Sequence, residues 1–159
     1  MIFKKIVESG LTYFTDEMPD WMQAIHIACK TLEEKHIIDI EYANQVIECV
    51  KKYGPYIVVV DGLAIPHCNE GNQCAHDTAL SFTRFEKPIV FDYDKEDVRS
   101  ANVFITLASV NHDEHMKNIQ ALFTVLDNEI IFNKLMDCKS NEDLLKLDEF
   151  VEEQNIQII

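Results

Sequence analysis

The chain has 159 residues, 47% hydrophobic and 26% charged, a soluble-globular balance with enough length for one domain over 1–159 that buries about two thirds of its unfolded surface. No run of about 18 apolar residues is available to cross a membrane, and the opening Met1 to Glu8 turns acidic too soon for a signal peptide, so a cytoplasmic location is expected. Fourteen basic against 28 acidic residues give a formal charge of −14, which argues against nucleic acid as a partner because a phosphate backbone would be repelled.

Along the chain, an irregular opening precedes a helix over Pro19 to His36, where Trp21, Met22, Ile25, Ala28, Cys29 and Leu32 recur at close to 3.6 residues and Asp20 is placed to cap. Glu41 to Lys52 repeats the pattern through Ala43, Val46, Ile47 and Val50, and Gly54-Pro55 ends it. The period then shortens, and the β-rich runs Tyr56 to Val60, Ala79 to Phe85, Ile89 to Phe91 and Val103 to Ala108 predict strands. Polar stretches at Cys68 to Thr78 and Asp92 to Ser100 predict surface loops. Helical spacing returns over His115 to Leu126, with Met116, Ile119, Leu122, Phe123 and Leu126 on one face, then over Ile130 to Met136 and Leu144 to Val151, the last behind a capping start at Ser140. Helices, strands and helices again, with no internal repeat or linker, predict a single α/β layer structure with a mostly covered central sheet. Cys29, Cys49, Cys68, Cys74 and Cys138 are an odd number and predict no disulfide framework; Cys29 and Cys49 fall in helical apolar patterns as small core residues.

One segment carries the chemistry. Gly54 to Val60 drives an apolar, β-branched run into Asp61-Gly62-Leu63-Ala64-Ile65-Pro66-His67, so a glycine turn and a stiffening proline put an imidazole on display where a strand gives way to a loop. The block Gly62-Leu63-Ala64-Ile65-Pro66-His67 resembles the signature around the phosphorylated histidine of the type-2 EIIA domains of the bacterial phosphoenolpyruvate-dependent sugar phosphotransferase system. Thr78 to Phe82 and Lys87 to Phe91 fall where that family has its next two strands, and Phe104 to Val110, running into Asn111-His112-Asp113-Glu114-His115, resembles its last core strand and following helix. The Gly54-Pro55-Tyr56 lead-in is most similar to the ascorbate branch. The resemblance spans roughly Trp21 to Leu147 and implies a mixed sheet with helices on both faces.

It also implies a phosphocarrier: His67 accepts a phosphoryl group from the histidine-containing phosphocarrier protein and passes it to an EIIB component, and so indirectly serves a membrane EIIC component. A neutral imidazole has a ring lone pair near pH 7 and attacks phosphorus without a separate base, so neither a metal nor an organic cofactor is called for. Its other nitrogen must keep a proton, and a carbonyl or carboxylate accepting it would fix the tautomer. His115 has the place of the family's second histidine, beside the phosphorylated one. At a junction from strand to helix, its ring and nearby N–H groups would meet the anion. Thr78 and Ser81 are weaker hydrogen-bonding candidates that ordinary strand residues would explain equally well. Where mannitol-type members have a phosphate-assisting arginine, the chain offers Lys51 and Lys52, which supply charge without a planar fork. Cys68-Asn69 after the histidine is a second departure from many relatives.

Three rivals stand beside this reading. His67, Cys68, Cys74, His76, His112 and His115 have zinc-ligand chemistry, though not a common zinc spacing, and Cys68 with Cys74 would be a redox pair. A related regulatory protein would keep His67 without feeding a transporter. General acid–base catalysis by His67 with Asp77 or Glu70 finds no supporting nucleophile motif. The helical faces leave a homodimer open, since Trp21, Phe123 and Phe132 would serve a core or an interface.

Overall fold

The computed structural model describes residues 2–68 and 74–154. A short helix α1 (Ile2–Glu8) and a four-residue strand β1 (Thr12–Thr15) occupy what the sequence suggested was an irregular opening. Phe3 and Ile6 are the buried face of α1, and its Lys4 backbone N–H donates to the Asp148 carboxylate, tying the first helix to the last. The next helix, α2 (Trp21–Glu34), starts where the Asp20 side chain accepts from the Gln23 N–H at 2.8 Å. After it come α3 (Glu41–Tyr53), β2 (Val58–Val60), β3 (Gly62–Ala64), β4 (Ala79–Phe91) and β5 (Arg99–Ala108). The chain then forms α4 (His112–Leu126), α5 (Glu129–Met136) and α6 (Asn141–Glu153), whose N-caps Asn111, Asn128 and Ser140 each accept a first-turn N–H.

The strands form one mixed sheet in the order β1-β4-β5-β3-β2, with β1 parallel to β4, β3 parallel to β5, and the other two pairings antiparallel. Helix α2 covers one face. Its small residues Ala24 and Ala28 let it approach closely, and the Ala28 carbonyl accepts from both Ser81 on β4 and Thr106 on β5, at 3.3 and 3.2 Å. Two hydroxyls buried in the sheet thus find a partner without a gap in the packing. Phe104 shares this face with Phe85 and Phe91, at ring-centroid distances of 5.2 and 5.9 Å. The opposite face meets α1 and α5, where Arg84 donates to the Met136 carbonyl. The expected sheet with helices on both faces is what the chain forms.

Three local readings change. Ala79 to Phe85 and Ile89 to Phe91 belong to a single strand whose register shifts between Arg84 and Ile89. Helix α4 begins at His112, one turn before the expected His115. The residues expected to form only a turn include β3, which pairs with β2 on one side and β5 on the other. Gly62 opens β3 at φ +95°, and a Cβ there would lie 2.9 Å from Met136 Cε. The methionine end can move, but the backbone angle cannot be relieved in the same way. Gly62→Ala is therefore expected to cost about 1–3 kcal/mol, read as a lower denaturant midpoint; an unchanged midpoint would contradict the strain.

Candidate functional site

Topology brings the two histidines together. Because β3 and β5 are parallel, their carboxyl ends share one edge of the sheet, and antiparallel β4 starts there too, with Ala79 opposite Ala108. Beyond β3 the chain runs Ile65-Pro66-His67; beyond β5 it runs through Ser109 to Asn111 into α4. The His67 and His115 rings lie 5.7 Å apart between centroids.

Main-chain tethers hold the His67 segment. The Ile65 N–H donates to the Ile57 carbonyl at 2.7 Å, the Leu107 N–H donates to the Pro66 carbonyl at 3.0 Å, and the Tyr56 hydroxyl donates to the His67 carbonyl at 2.5 Å. The Tyr56 ring also stands edge-on to the imidazole, 5.2 Å between centroids. His67 Nδ1 lies 2.6 Å from the Ile65 carbonyl oxygen, which can only accept, so Nδ1 carries the proton and Nε2 presents the lone pair. The acceptor is thus a main-chain carbonyl two residues back. Burial pulls the His67 imidazole below its ordinary value, and the bond to Ile65 opposes that pull. His115 is also pulled down, by burial first and then by His67 and His112. Both rings are therefore neutral near pH 7.

The other expected site residues fall in several places. His115 is in the first turns of α4, but its N–H donates to the Asn111 carbonyl at 3.1 Å, so only its ring is available to a ligand. The Asn111 side chain takes the Glu114 N–H, and Asp113 and Glu114 put two carboxylates at this end of the helix, against an anion rather than for it. The Thr78 hydroxyl donates to the Glu114 carboxylate and accepts from the Val110 N–H, so it clasps β4 to the α4 junction. Ser81 is fully buried on the α2 face with its hydroxyl on Ala28, which corrects its reading as a phosphate contact. Lys52 is exposed on α3 and lines a groove that also contains Cys49 and Cys68.

Cys49 is half-buried in that groove rather than a core residue, and its sulfur lies 3.5 Å from that of Cys68. Cys68 therefore faces Cys49, not Cys74, whose sulfur accepts from Gln45 Nε2. His76 pairs with Asp39 at 2.7 Å, and among the described residues no group of three or more His, Cys, Asp or Glu side chains is arranged to hold a metal ion. Asn69 and Glu70 lie outside the described residues. Trp21 is buried in its own chain, 5.9 Å from the Phe91 ring, whereas Phe123 is exposed. Tyr56 is the site residue that sequence reasoning missed; its place in the lead-in to the signature was the available signal, but a tether to a main-chain carbonyl has no sequence pattern.

The family model described as phosphoenolpyruvate-dependent sugar phosphotransferase system, EIIA 2, matches residues 5–149. The ascorbate-specific PTS system EIIA component of Escherichia coli K12 is 26% identical over 132 residues, covering 82% of this chain and 84% of that protein. The solution structure of the mannitol-specific cryptic phosphotransferase enzyme IIA CmtB from E. coli superposes with a TM-score of 0.78 at 26% identity, covering 92% of this chain and 97% of that one. Enzyme IIA of the E. coli mannitol system, solved in complex with phosphorylated enzyme IIB, shares the fold with a TM-score of 0.69 at 21% identity, covering 86% and 92%.

Proposed function

The chain belongs to the EIIA 2 family of the phosphoenolpyruvate-dependent sugar phosphotransferase system, and from that membership we propose that it accepts a phosphoryl group on Nε2 of His67 and passes it to an EIIB component. The observation that carries the assignment is the 2.6 Å bond from Nδ1 to the Ile65 carbonyl, which leaves Nε2 as the nucleophile. The donor is the histidine-containing phosphocarrier protein. The Nε2 lone pair forms a bond to phosphorus as the donor's phosphorus–nitrogen bond breaks, and the electron pair of that bond stays with the donor's imidazole. Transfer to EIIB runs the same exchange with a cysteine thiolate as the incoming group.

Such transfer asks the protein mainly for positioning and for charge compensation on the equatorial oxygens. The three tethers on Ile65, Pro66 and His67 supply the positioning. His115 supplies compensation: its ring donates an N–H, and the nearby phosphoryl charge favours its protonated form once His67 is loaded. Lys52 adds a solvated positive charge on the neighbouring helix. The protein works at the cytoplasmic face of a membrane EIIC component, and the named relative favours ascorbate or a related carbohydrate as the cargo.

Acceptance needs neutral His67, and burial sets its pKa below the ordinary value of about 6.5. The rate of acceptance is therefore expected to hold a plateau through neutral and alkaline pH and to fall only on acidification, with a midpoint below 6.5. Stopped-reaction phosphorylation across pH checks this, and a midpoint above 6.5 would contradict the buried, neutral nucleophile. The assignment as a transporter component is tested by mixing the phosphorylated protein with ascorbate-type EIIB: loss of phosphate from His67 and its gain on the EIIB cysteine supports it. Retention of phosphate with every EIIB offered would instead favour a regulator.

A further inference from the structure

Cys49 and Cys68 stand 19 positions apart in the chain, yet their sulfurs are 3.5 Å from one another. A disulfide bond is about 2.05 Å long, so closing one asks for about 1.5 Å of approach, shared between a helix side chain and the residue that follows His67. Both thiols are half-buried and line an open groove of about 480 Å³ with Gln45, Glu48, Lys52 and Tyr53, so a small reagent reaches them. Cys29 and Cys138 are different: both are buried, and burial pushes the Cys138 thiol up to about 12 and the Cys29 thiol higher, which keeps them protonated and unreactive. None of the five cysteines is in a disulfide.

We propose that Cys49 and Cys68 form a reversible dithiol site, closed to a disulfide by a small two-electron oxidant such as hydrogen peroxide, and that the closed form is a poor phosphoryl acceptor; the second part rests on the reading of His67 given above. In the first step one thiolate attacks a peroxide oxygen, the O–O bond breaks, and the hydroxide that leaves takes a proton as water. The sulfur is then a sulfenic acid. The second thiolate attacks that sulfur, the S–S bond forms as the S–O bond breaks, and a second water departs. Two thiols have lost two electrons and two protons, and one peroxide has become two waters.

The coupling to His67 is short. Cys68 shares a peptide bond with it, and the Tyr56 hydroxyl holds the intervening carbonyl at 2.5 Å. Tyr56 also borders both thiols: burial first, then Cys49 and Cys68, hold its phenol proton in place. Drawing residue 68 toward α3 moves the carbonyl that Tyr56 holds and turns the imidazole away from the Ile65 bond that sets its tautomer. Displacements of about 1 Å are enough to slow a positioned transfer by about 100-fold.

The test treats the reduced full chain with equimolar hydrogen peroxide, alkylates the remaining thiols and maps the unreduced peptides by mass. A Cys49–Cys68 cross-link is expected, with two of the five thiols lost and dithiothreitol restoring them. The cross-linked protein should take up phosphate at least about tenfold more slowly than the reduced protein. Cys49→Ser and Cys68→Ser should each abolish the cross-link and make acceptance insensitive to peroxide, and either variant serves if the other fails to fold. Absence of the cross-link, pairing of Cys68 with Cys74 instead, or unchanged acceptance by fully cross-linked protein would overturn the proposal. The bond is read on protein never exposed to a phosphoryl donor. A reduced protein that takes no phosphate would thus overturn the reading of His67, and the coupling with it, separately from the bond.

Discussion

Replacing His67 with alanine is expected to lower phosphoryl acceptance by at least about 10³-fold, to the background of the assay, because it removes the Nε2 lone pair that the Ile65 bond and the main-chain tethers hold in position. Ser81 is sealed under α2 on the Ala28 carbonyl, Thr78 is clasped to Glu114 and Val110, and the His115 ring belongs to a different element, 5.7 Å away between centroids. The fold should survive. The substitution removes one hydrogen bond to Ile65 and an edge contact with Tyr56 at a half-buried position that water can enter. That loss is about 1 kcal/mol, or a fall of about 2–4 °C in Tm. Initial rates of acceptance, with a thermal melt of the same preparations, check both halves. A folded variant that still accepts phosphate at the wild-type rate would remove His67 from the mechanism.

His115→Ala is expected to slow transfer on the order of 100-fold, in both directions, without abolishing it. The ring contributes a donor and a chargeable group beside the phosphoryl oxygens, while the tautomer that leaves Nε2 of His67 its lone pair is set by the Ile65 carbonyl. Alanine suits the helical position, so stability should change little. His115→Gln keeps a donor without the charge and should recover part of the rate. Single-turnover rates for wild type and both variants decide the matter, and an unchanged rate in His115→Ala would show that the neighbouring ring has no part in transfer.

The long amphipathic helices and the inner stretches of the two long strands were legible because their apolar period is set by the core they face: Ala24, Ile25, Ala28, Cys29 and Leu32 are buried together, as are Phe104, Ile105 and Leu107, whereas β4 read as two runs and β5, which starts at Arg99, read only from Val103. Strands β1 and β3 were not. Four residues in Thr12 to Thr15 and three in Gly62 to Ala64 carry too little local pattern, and each exists because a distant strand pairs with it, β4 for the first and β5 for the second. Helix α1 is fixed in the same way by α6 through Asp148. At the site, the approach of His67 and His115 was readable from the family's order of elements, whereas the Ile65 and Tyr56 contacts involve main-chain carbonyls, which leave no side-chain signature. The early start of α4 was hidden because Asn111 resembles a loop residue until its cap on Glu114 is seen. The partnership of Cys49 with Cys68 depends on how α3 lies beside the His67 segment, which periodicity within α3 cannot report.

The most direct test of the phosphocarrier account is intact-protein mass, kept alkaline throughout, after incubation with phosphoenolpyruvate, enzyme I and the histidine-containing phosphocarrier protein, for wild type and His67→Ala side by side. The account predicts one acid-labile phosphoryl group on the wild type and none on the variant. Two folded proteins that both remain unmodified by cognate donors, or a variant that gains the same group as the wild type, would contradict it.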